Sequence, residues 1–340
     1  MKSSSQALCL GLAASLMLAA SAGFAQPGPV PYKILDTAQF NGTGGIDYVT
    51  ADSDGRRLYV PRGTQILAFD LDTLKQLASI PGSGHGVAVD PVSHHGFCSG
   101  QPITMWDTLT LAPIKTIAPQ GSPDGILFEP LTGRVYVLSH SAPNVTVLDG
   151  KDGSTVGTID LGGAPEQAQS DGQGRLYVDL EDKDQIAVVD VKTLKVTAHY
   201  DLGGKGGGPG GLGLDAKNHL LFAMCHEPAT CVVLGADDGK ILATLPIGTG
   251  TDAGGFNPAT MEAFSSQGDG TLTIIKENSP TSFEVEQTVQ TKARAKTCTL
   301  DSKTNHIVLI TTEPLPVAGG QRRGGGRGGP GILDLIVVGR

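Results

Sequence analysis

The stretch 174–204, from which the rest of the chain is repeated, lacks the periodicity of a helix. No run of ten or more residues in it places apolar side chains at a 3.6-residue spacing. Short runs rich in β-branched and aromatic residues alternate instead with Gly, Asp and Lys-Thr turn residues, which is the pattern of β-strands. We therefore expect an all-β protein.

Positive charge is scarce and is not clustered in the bulk of the chain. There are 25 Lys and Arg residues against 34 Asp and Glu residues, and charged residues make up only 17% of the sequence. Duplex nucleic acid requires clustered Lys and Arg to neutralise its phosphates, so we exclude it as a partner. After the first 25 residues no stretch is apolar enough to span a bilayer.

Signatures of known catalytic sites are absent. The chain contains no Gly-x-Ser-x-Gly, no His-Glu-x-x-His and no Cys-x-x-Cys-His haem site. The sequence therefore identifies no catalytic residue, and we expect a protein that binds rather than one that catalyses.

Cysteine is rare, with five in the chain and one of these in the first 25 residues. Cys225 and Cys231 bracket a short hairpin connection, which predicts a disulfide if the compartment is oxidising. Zinc binding by these two residues with His226 is the alternative, although the sequence offers no fourth ligand. Cys98 and Cys298 lie in strand patterns and are expected to be buried as small apolar residues.

The N-terminal segment has the features of a secretory signal peptide. Residues 1–25 contain a Lys at position 2, an apolar run and a small-residue site before Gln26. We expect an exported protein, periplasmic or secreted, in which a short linker at 26–32 follows the signal peptide.

A meander of short strands recurs along the rest of the chain. The clearest copy, 174–204, has three strands with a polar residue at the turn before its first strand. Equivalent turn residues recur roughly 38 to 44 residues apart, the length of one four-stranded propeller blade. These seven residues are Asp52, Asp90, Glu129, Asp171, Asp215, Asn257 and Asp301.

The seven copies predict one seven-bladed β-propeller of four-stranded antiparallel blades over 33–340. The last copy ends at a third strand with no fourth, while an extra strand at about 33–40 precedes the first copy. We expect the N-terminal strand to complete the last blade and close the ring. A Gly/Arg-rich insertion at 315–331 is expected to be a solvated loop.

These repeats resemble a known family. Tyr-Val followed by a third strand ending in Asp and a Thr-Leu-Lys or Asp-Gly turn is similar to the YVTN-type repeat, best in 134–162 and 175–204. The mature chain resembles YncE-like exported bacterial propellers, which implies a WD40-like ring. The repeat motif is structural, so the resemblance implies a fold and no activity.

The repeat register points to one candidate site. The residues five positions before the turn residues should begin the innermost strands and meet around the central channel. They are Asp47, His85, Asp124, Glu166, Gly210, Asp252 and Lys296. Two interpretations remain open: the acids hold neighbouring blades together through backbone N–H groups, or they form a ligand site.

Connections between the second and third strands should open on the same face. They add Arg62, His140 and His226 to the candidate ligand-binding residues. Oxygen-rich ligation would favour Ca²⁺ or Mg²⁺ at the channel mouth, and no other cofactor is expected.

We expect a monomeric, non-catalytic binding or scaffold protein. Its channel-mouth face would hold a small polar ligand, a peptide or a protein partner. The alternative is a metal-dependent lactonase-like hydrolase or a subunit of a periplasmic dehydrogenase.

Overall fold

A computed structural model describes residues 30–315 and 329–340 of the chain. The predicted signal peptide lies outside the described residues, as does most of the predicted 315–331 insertion. Within the described ranges every regular element is a strand, which confirms the all-β prediction. The same ranges contain no helix with the length and apolar character needed to cross a membrane.

The strands form seven antiparallel sheets of four, the predicted blades. The first strand of the chain, β1 (Lys33–Thr43), belongs to the last blade. Blades 1 to 3 comprise β2 (Thr50–Asp52), β3 (Arg57–Arg62), β4 (Gln65–Asp70) and β5 (Gln76–Pro81); β6 (Val87–Asp90), β7 (His95–Cys98), β8 (Ile103–Asp107) and β9 (Pro113–Ile117); and β10 (Pro123–Glu129), β11 (Arg134–Ser139), β12 (Val145–Asp149) and β13 (Thr155–Ile159).

Blades 4 to 7 continue the same order along the chain. They comprise β14 (Pro165–Ser170), β15 (Arg175–Leu180), β16 (Gln185–Asp190) and β17 (Lys195–Asp201); β18 (Pro209–Asp215), β19 (Leu220–Cys225), β20 (Thr230–Gly235) and β21 (Ile241–Pro246); β22 (Thr251–Asn257), β23 (Glu262–Gln267), β24 (Thr271–Ser279) and β25 (Ser282–Gln290); and β26 (Thr297–Asp301), β27 (His306–Pro314), β28 (Pro330–Gly339) and β1.

In the seventh blade the strand order is β1-β28-β27-β26. The β1–β28 ladder runs from Lys33 opposite Gly339 to Thr43 opposite Pro330. The outer strand of this blade therefore comes from the opposite end of the chain from its other three strands.

Seven apolar clusters fill the spaces between neighbouring blades. Between blades 1 and 2, for example, Tyr59 meets Trp106 edge to face at 5.4 Å between ring centroids. Leu58 and Val60 of blade 1 pack with Leu335 of blade 7, so an apolar layer also joins the last blade to the first. Each sheet thus buries both faces, which a single meander cannot do.

The third strand of several blades ends at an aspartate that caps the following turn. The Asp190 carboxylate accepts the backbone N–H groups of Lys192 at 3.0 Å and Thr193 at 2.7 Å. The Asp107 carboxylate accepts N–H groups two and three residues later in the same way. The recurring Asp therefore stabilises the turn locally, as an Asx turn does.

The disulfide predicted between Cys225 and Cys231 is wrong, because both thiols are free in the structure. In the β19–β20 ladder Cys231 lies opposite Met224, while Cys225 lies opposite Thr230. Neighbours in a strand project to opposite faces, so the two thiols point into different inter-blade clusters. The alternative zinc site fails for the same reason.

Candidate functional site

The inner strands surround a channel whose cavity measures about 600 Å³. Its lining extends from Tyr48, Gly86 and Glu166 at one end to Asp52 and Ser302 at the other. At the first end lie the seven positions that the sequence predicted to be equivalent. We call them the mouth ring: Asp47, His85, Asp124, Glu166, Gly210, Asp252 and Lys296.

In four blades the residue of the mouth ring lies in a break of the ladder between the first and second strands. The pairing shifts register between Pro123 and Ile126, and between Pro165 and Ala168, so Asp124 and Glu166 are not paired. Equivalent shifts occur around Gly210 and Asp252. A bulge bends the strand and re-aims its side chain. At Asp124 and Glu166 these breaks are the local reason that the side chains can turn toward the ring.

The first three members of the mouth ring form one charged cluster. The Nδ1 atom of His85 lies 2.7 Å from Oδ2 of Asp47 and 3.2 Å from Oδ1 of Asp124. These residues come from blades 1, 2 and 3. The cluster therefore exists only in the closed ring.

His140 joins Asp124 to Glu166 on the other side. Its Nε2 atom lies 3.0 Å from Oδ2 of Asp124 and 3.1 Å from Oε2 of Glu166. His140 directly follows β11, which ends at Ser139, so the connection it begins points over the ring as the sequence predicted. The other oxygen of Glu166 accepts the hydroxyl hydrogen of Tyr48, which reaches across from blade 1 to blade 4.

The contacts within this cluster shift the pKa values of its members. The hydrogen bond to Asp47 raises the pKa of His85 against the opposing effect of burial. Hydrogen bonds to Asp124 and Glu166 raise the pKa of His140 to about 10. Burial and the Glu166 charge hold the pKa of the Tyr48 phenol well above its usual value, so this group remains a donor. Two imidazoles, both with raised pKa values, thus face three carboxyl groups.

The opposite side of the mouth ring is a separate ion pair. The ammonium group of Lys296 contacts Oδ2 of Asp252. Burial raises the pKa of Asp252 to about 6, although the lysine opposes that shift. Asp252 and Lys296 therefore satisfy each other, and the structure does not bring them into the cluster of blades 1 to 4.

His226 covers the one position of the ring without a side chain. A Cβ atom built on Gly210 would lie 2.6 Å from Nε2 of His226. The imidazole occupies the space that a ring side chain would otherwise fill. His226 follows β19 as His140 follows β11, so the two histidines hold equivalent positions in blades 5 and 3.

Arg62 does not belong to the mouth ring. It is only 4% exposed and donates to the backbone oxygens of Phe40 at 3.1 Å and Gly331 at 2.9 Å. It therefore ties blade 1 to the two paired strands β1 and β28. The prediction failed here because the end of β3 lies beside β1 and the connection that follows it.

Backbone oxygens of the mouth ring also accept hydrogen bonds from neighbouring blades. Four of them run from Thr297 Oγ1 to Asp47 O at 2.7 Å, from Tyr48 N to His85 O at 3.2 Å, from Ser99 Oγ to Asp124 O, and from Ser266 Oγ to Lys296 O at 2.7 Å. Among the described residues, no backbone N–H donates to a carboxylate of the mouth ring.

Sequence reasoning missed Tyr48 and Gln167, which brace the site. The side-chain oxygen of Gln167 accepts the backbone N–H groups of Leu212 at 2.8 Å and Gly254 at 3.1 Å, which joins blades 4, 5 and 6. Behind it, burial holds the pKa of Asp179 well above its usual value, and this carboxyl accepts the backbone N–H of Gln167. Both missed residues directly follow a ring acid, and that adjacency was the available signal.

No protein-family model and no curated protein matches the chain. Its fold is nevertheless similar to solved WD40 propellers. A structure of U3-55K has a TM-score of 0.72 at 12% identity, covering 90% of this chain and 99% of that one. The RRP9 WD40 repeats give a TM-score of 0.72 at 12% identity over 91% and 100%. A chain of the Mitotic Checkpoint Complex gives a TM-score of 0.72 at 11% identity over 97% and 99%.

At these identities the likeness shows the fold alone. The prediction of a seven-bladed, WD40-like propeller is thereby confirmed. The resemblance to YVTN-type repeats stays a prediction.

Proposed function

We propose that this chain is an exported binding or scaffold propeller that captures a polar partner at the mouth ring. The observation that carries the proposal is the convergence of three carboxyl groups and two imidazoles from four blades, with bonds chiefly to one another. Crowded like charges cost stability unless something offsets them, so such a cluster is typical of a binding site.

The access to the cluster supports this role. The side chains of His85 and His140 are 49% and 45% exposed, while those of Asp124 and Glu166 are 12% exposed. A partner arriving from solvent would therefore meet the imidazoles first and the acids behind them. The fold similarity to WD40 propellers, one of which is a chain of a checkpoint complex, supports a scaffold role.

Export is part of the proposal and rests on residues 1–25 alone. The test is to express the full chain in a bacterium and to determine the mass of the protein in the periplasmic fraction. We expect a mature protein that has lost about 22 to 25 residues, as a small-residue cleavage site implies. A full-length protein confined to the cytoplasm would contradict export.

Binding at the mouth is tested by affinity capture from the exported fraction of the source cell. The baits are the parent, His140→Ala, and Val92→Asp as a matched control in a turn between β6 and β7, at the other end of the inner strands. We expect the parent and Val92→Asp to retain the same partner and His140→Ala to lose it. Equal retention by all three would overturn a site at the mouth.

A metal-dependent hydrolase is the second candidate function. It is favoured by one observation, that Asp124 belongs to two groups of three ligand-type side chains, as a carboxylate shared by two metal ions would. Turnover of a lactone or an aryl ester by the metal-loaded protein, lost in Asp124→Asn, would support it. No turnover with any divalent ion would leave the binding function.

A further inference from the structure

Six ligand-type atoms at the mouth ring form two groups of three. The first group is Asp47 Oδ2, His85 Nδ1 and Asp124 Oδ1, and the second is Asp124 Oδ2, His140 Nε2 and Glu166 Oε2. Within each group all atoms lie within 4.8 Å of one another. Each group offers one imidazole nitrogen and two carboxylate oxygens.

Hydrogen bonds cannot satisfy these groups. The Nδ1 atom of His85 faces oxygens of Asp47 and Asp124 at 2.7 and 3.2 Å, and Nε2 of His140 faces two oxygens at 3.0 and 3.1 Å. A ring nitrogen carries at most one hydrogen, so each nitrogen can donate to only one of its two oxygens. In each group at least one carboxylate oxygen lacks a full hydrogen bond.

Asp124 shows this deficit directly. The residue is only 9% exposed, and its buried Oδ1 atom has no hydrogen-bond partner among the described residues. Leaving a buried carboxylate oxygen without a partner is costly. The atom is aimed into the first group, where a cation would satisfy it.

The two oxygens of Asp124 face different groups. Oδ1 lies toward His85, and Oδ2 lies toward His140. A carboxylate that uses one oxygen for each of two ions is the usual bridge of a two-metal site, in which the ions lie about 3.5–4 Å apart.

We propose that the mouth ring binds two divalent first-row transition-metal ions bridged by Asp124. This inference rests on the proposed function, because it names the ligand of the same site. Ligand atoms around zinc at about 2.0–2.2 Å lie roughly 3.3 Å from one another, and three of the four nitrogen-to-oxygen distances in the two groups are 3.0 to 3.2 Å. An imidazole in each group favours such a metal over the Ca²⁺ or Mg²⁺ that an all-oxygen ring suggested.

The surroundings suit a preformed site. The Tyr48 hydroxyl donates to the oxygen of Glu166 that does not face His140, which fixes the carboxylate orientation as outer-shell partners do. Backbone bonds such as Thr297 Oγ1 to Asp47 O hold the ring residues without using their side chains. With three protein ligands each, both ions keep positions open toward the mouth, where donor atoms of the partner can bind.

The test is equilibrium dialysis of the untagged mature protein, stripped with EDTA, against micromolar Zn²⁺, with bound metal counted by mass spectrometry. We expect two zinc ions per chain for the parent, one for Asp47→Ala, one for Glu166→Ala and none for Asp124→Ala. Asp107→Ala, which removes an acid at the end of β8 that bonds to its own turn, is the control and should bind two. Parallel dialysis against Ca²⁺ or Mg²⁺ at the same concentration should give no binding.

A parent that binds no zinc, or an Asp124→Ala variant that keeps zinc, would overturn the inference. One zinc in the parent would overturn the bridged pair. Asp124→Asn preserves the shape of the side chain, and it should also lose zinc while melting like the parent, which separates lost ligation from misfolding. If no variant or parent binds zinc and His140→Ala still loses the captured partner, only the metal inference fails and the binding function stands.

Discussion

Two rings of polar residues mark the two ends of the inner strands, and they are satisfied in different ways. The seven first-turn residues form what we call the turn ring: Asp52, Asp90, Glu129, Asp171, Asp215, Asn257 and Asp301. Glu129, for example, accepts the backbone N–H groups of Leu131 at 2.8 Å and Thr132 at 2.9 Å. Asp171 and Asn257 likewise accept N–H groups of their own turns.

Acids of the mouth ring, five residues earlier in the same repeat, bind only side chains. Asp47 contacts His85, Asp252 contacts Lys296, and Glu166 contacts Tyr48 and His140. The same residue types at the same period thus stabilise turns at one end and form a charged cluster at the other. What distinguishes a structural acid from a site acid here is the donor that satisfies it.

The largest effect is expected from Glu129→Ala in the turn ring. Glu129 is fully buried, and its removal leaves two turn N–H groups without an acceptor. We expect a loss of about 3 kcal/mol in the free energy of unfolding, measured by urea titration. Glu129→Gln, which keeps an acceptor, should recover part of this loss. A change below about 1 kcal/mol would show that turn acids are as dispensable as mouth acids.

Asp301, another acid of the turn ring, tests the comparison of the two rings through the pH dependence of stability. Burial opposes its charged form, but hydrogen bonds from Arg56 at 2.8 Å and from Thr304 lower the pKa of Asp301 to about 2. A pKa below the unfolded value of about 3.9 stabilises the fold above pH 4 to 5, and this contribution is lost as pH falls toward 2. We expect this charge to contribute about 2 kcal/mol to the free energy of unfolding at neutral pH.

The measurement is the unfolding free energy of the parent and of Asp301→Asn between pH 7 and pH 2. The difference between the two proteins should be largest at neutral pH and should shrink below pH 4. A difference that is constant over this range would contradict the role given to Arg56 and the Asp301 charge.

A smaller effect is expected at the bonds that join blades at the mouth. Ser99→Ala removes the hydroxyl that donates to the backbone oxygen of Asp124. We expect a loss of about 1 kcal/mol with no change in the partner that the protein captures. Ser79→Ala, in the exposed outer strand β5, is the matched control and should be neutral. If Ser99→Ala is also neutral, the bonds from neighbouring blades to ring carbonyls do not stabilise the ring.

Glu166→Ala should change stability least. Glu166 is a glutamate of the mouth ring, as Glu129 is of the turn ring. Among the described residues, however, no backbone N–H group donates to the Glu166 carboxylate. Its removal relieves repulsion from Asp124, which offsets the lost contacts with Tyr48 and His140. We expect a change within about 0.5 kcal/mol by urea titration, as for groups held for function. A loss comparable with that of Glu129→Ala would make the mouth ring a structural element.

Most of the fold could be predicted from the register of the repeats in the sequence. The seven turn residues, the Asp that ends several third strands and the missing fourth strand were all visible in the sequence because a closed ring repeats one local pattern. Counting back from Asp90 and Glu129 also placed His85 and Asp124 on the ring, and these side chains do meet. Register predicts position along a strand, which is why this part of the site could be found.

Register does not predict which residues of other strands lie beside a given residue. Arg62 fits the rim pattern, yet it is buried because β1, the outer strand of blade 7, lies beside it. Cys225 and Cys231 are close in sequence, but the pairing of β19 with β20 sends them to opposite faces. The ladder breaks that free Asp124 and Glu166 depend on backbone geometry that side-chain patterns do not encode.

Anomalous diffraction at the zinc edge, from crystals of the mature protein soaked in Zn²⁺, would test the difference between the two rings most directly. We predict two peaks at the mouth ring, one on each side of the Asp124 carboxylate and about 3.5–4 Å apart, with none at the turn ring. An empty mouth ring, or zinc bound equally at the turn ring, would contradict the account. The acids of the mouth ring would then not differ from the acids of the turn ring in binding metal.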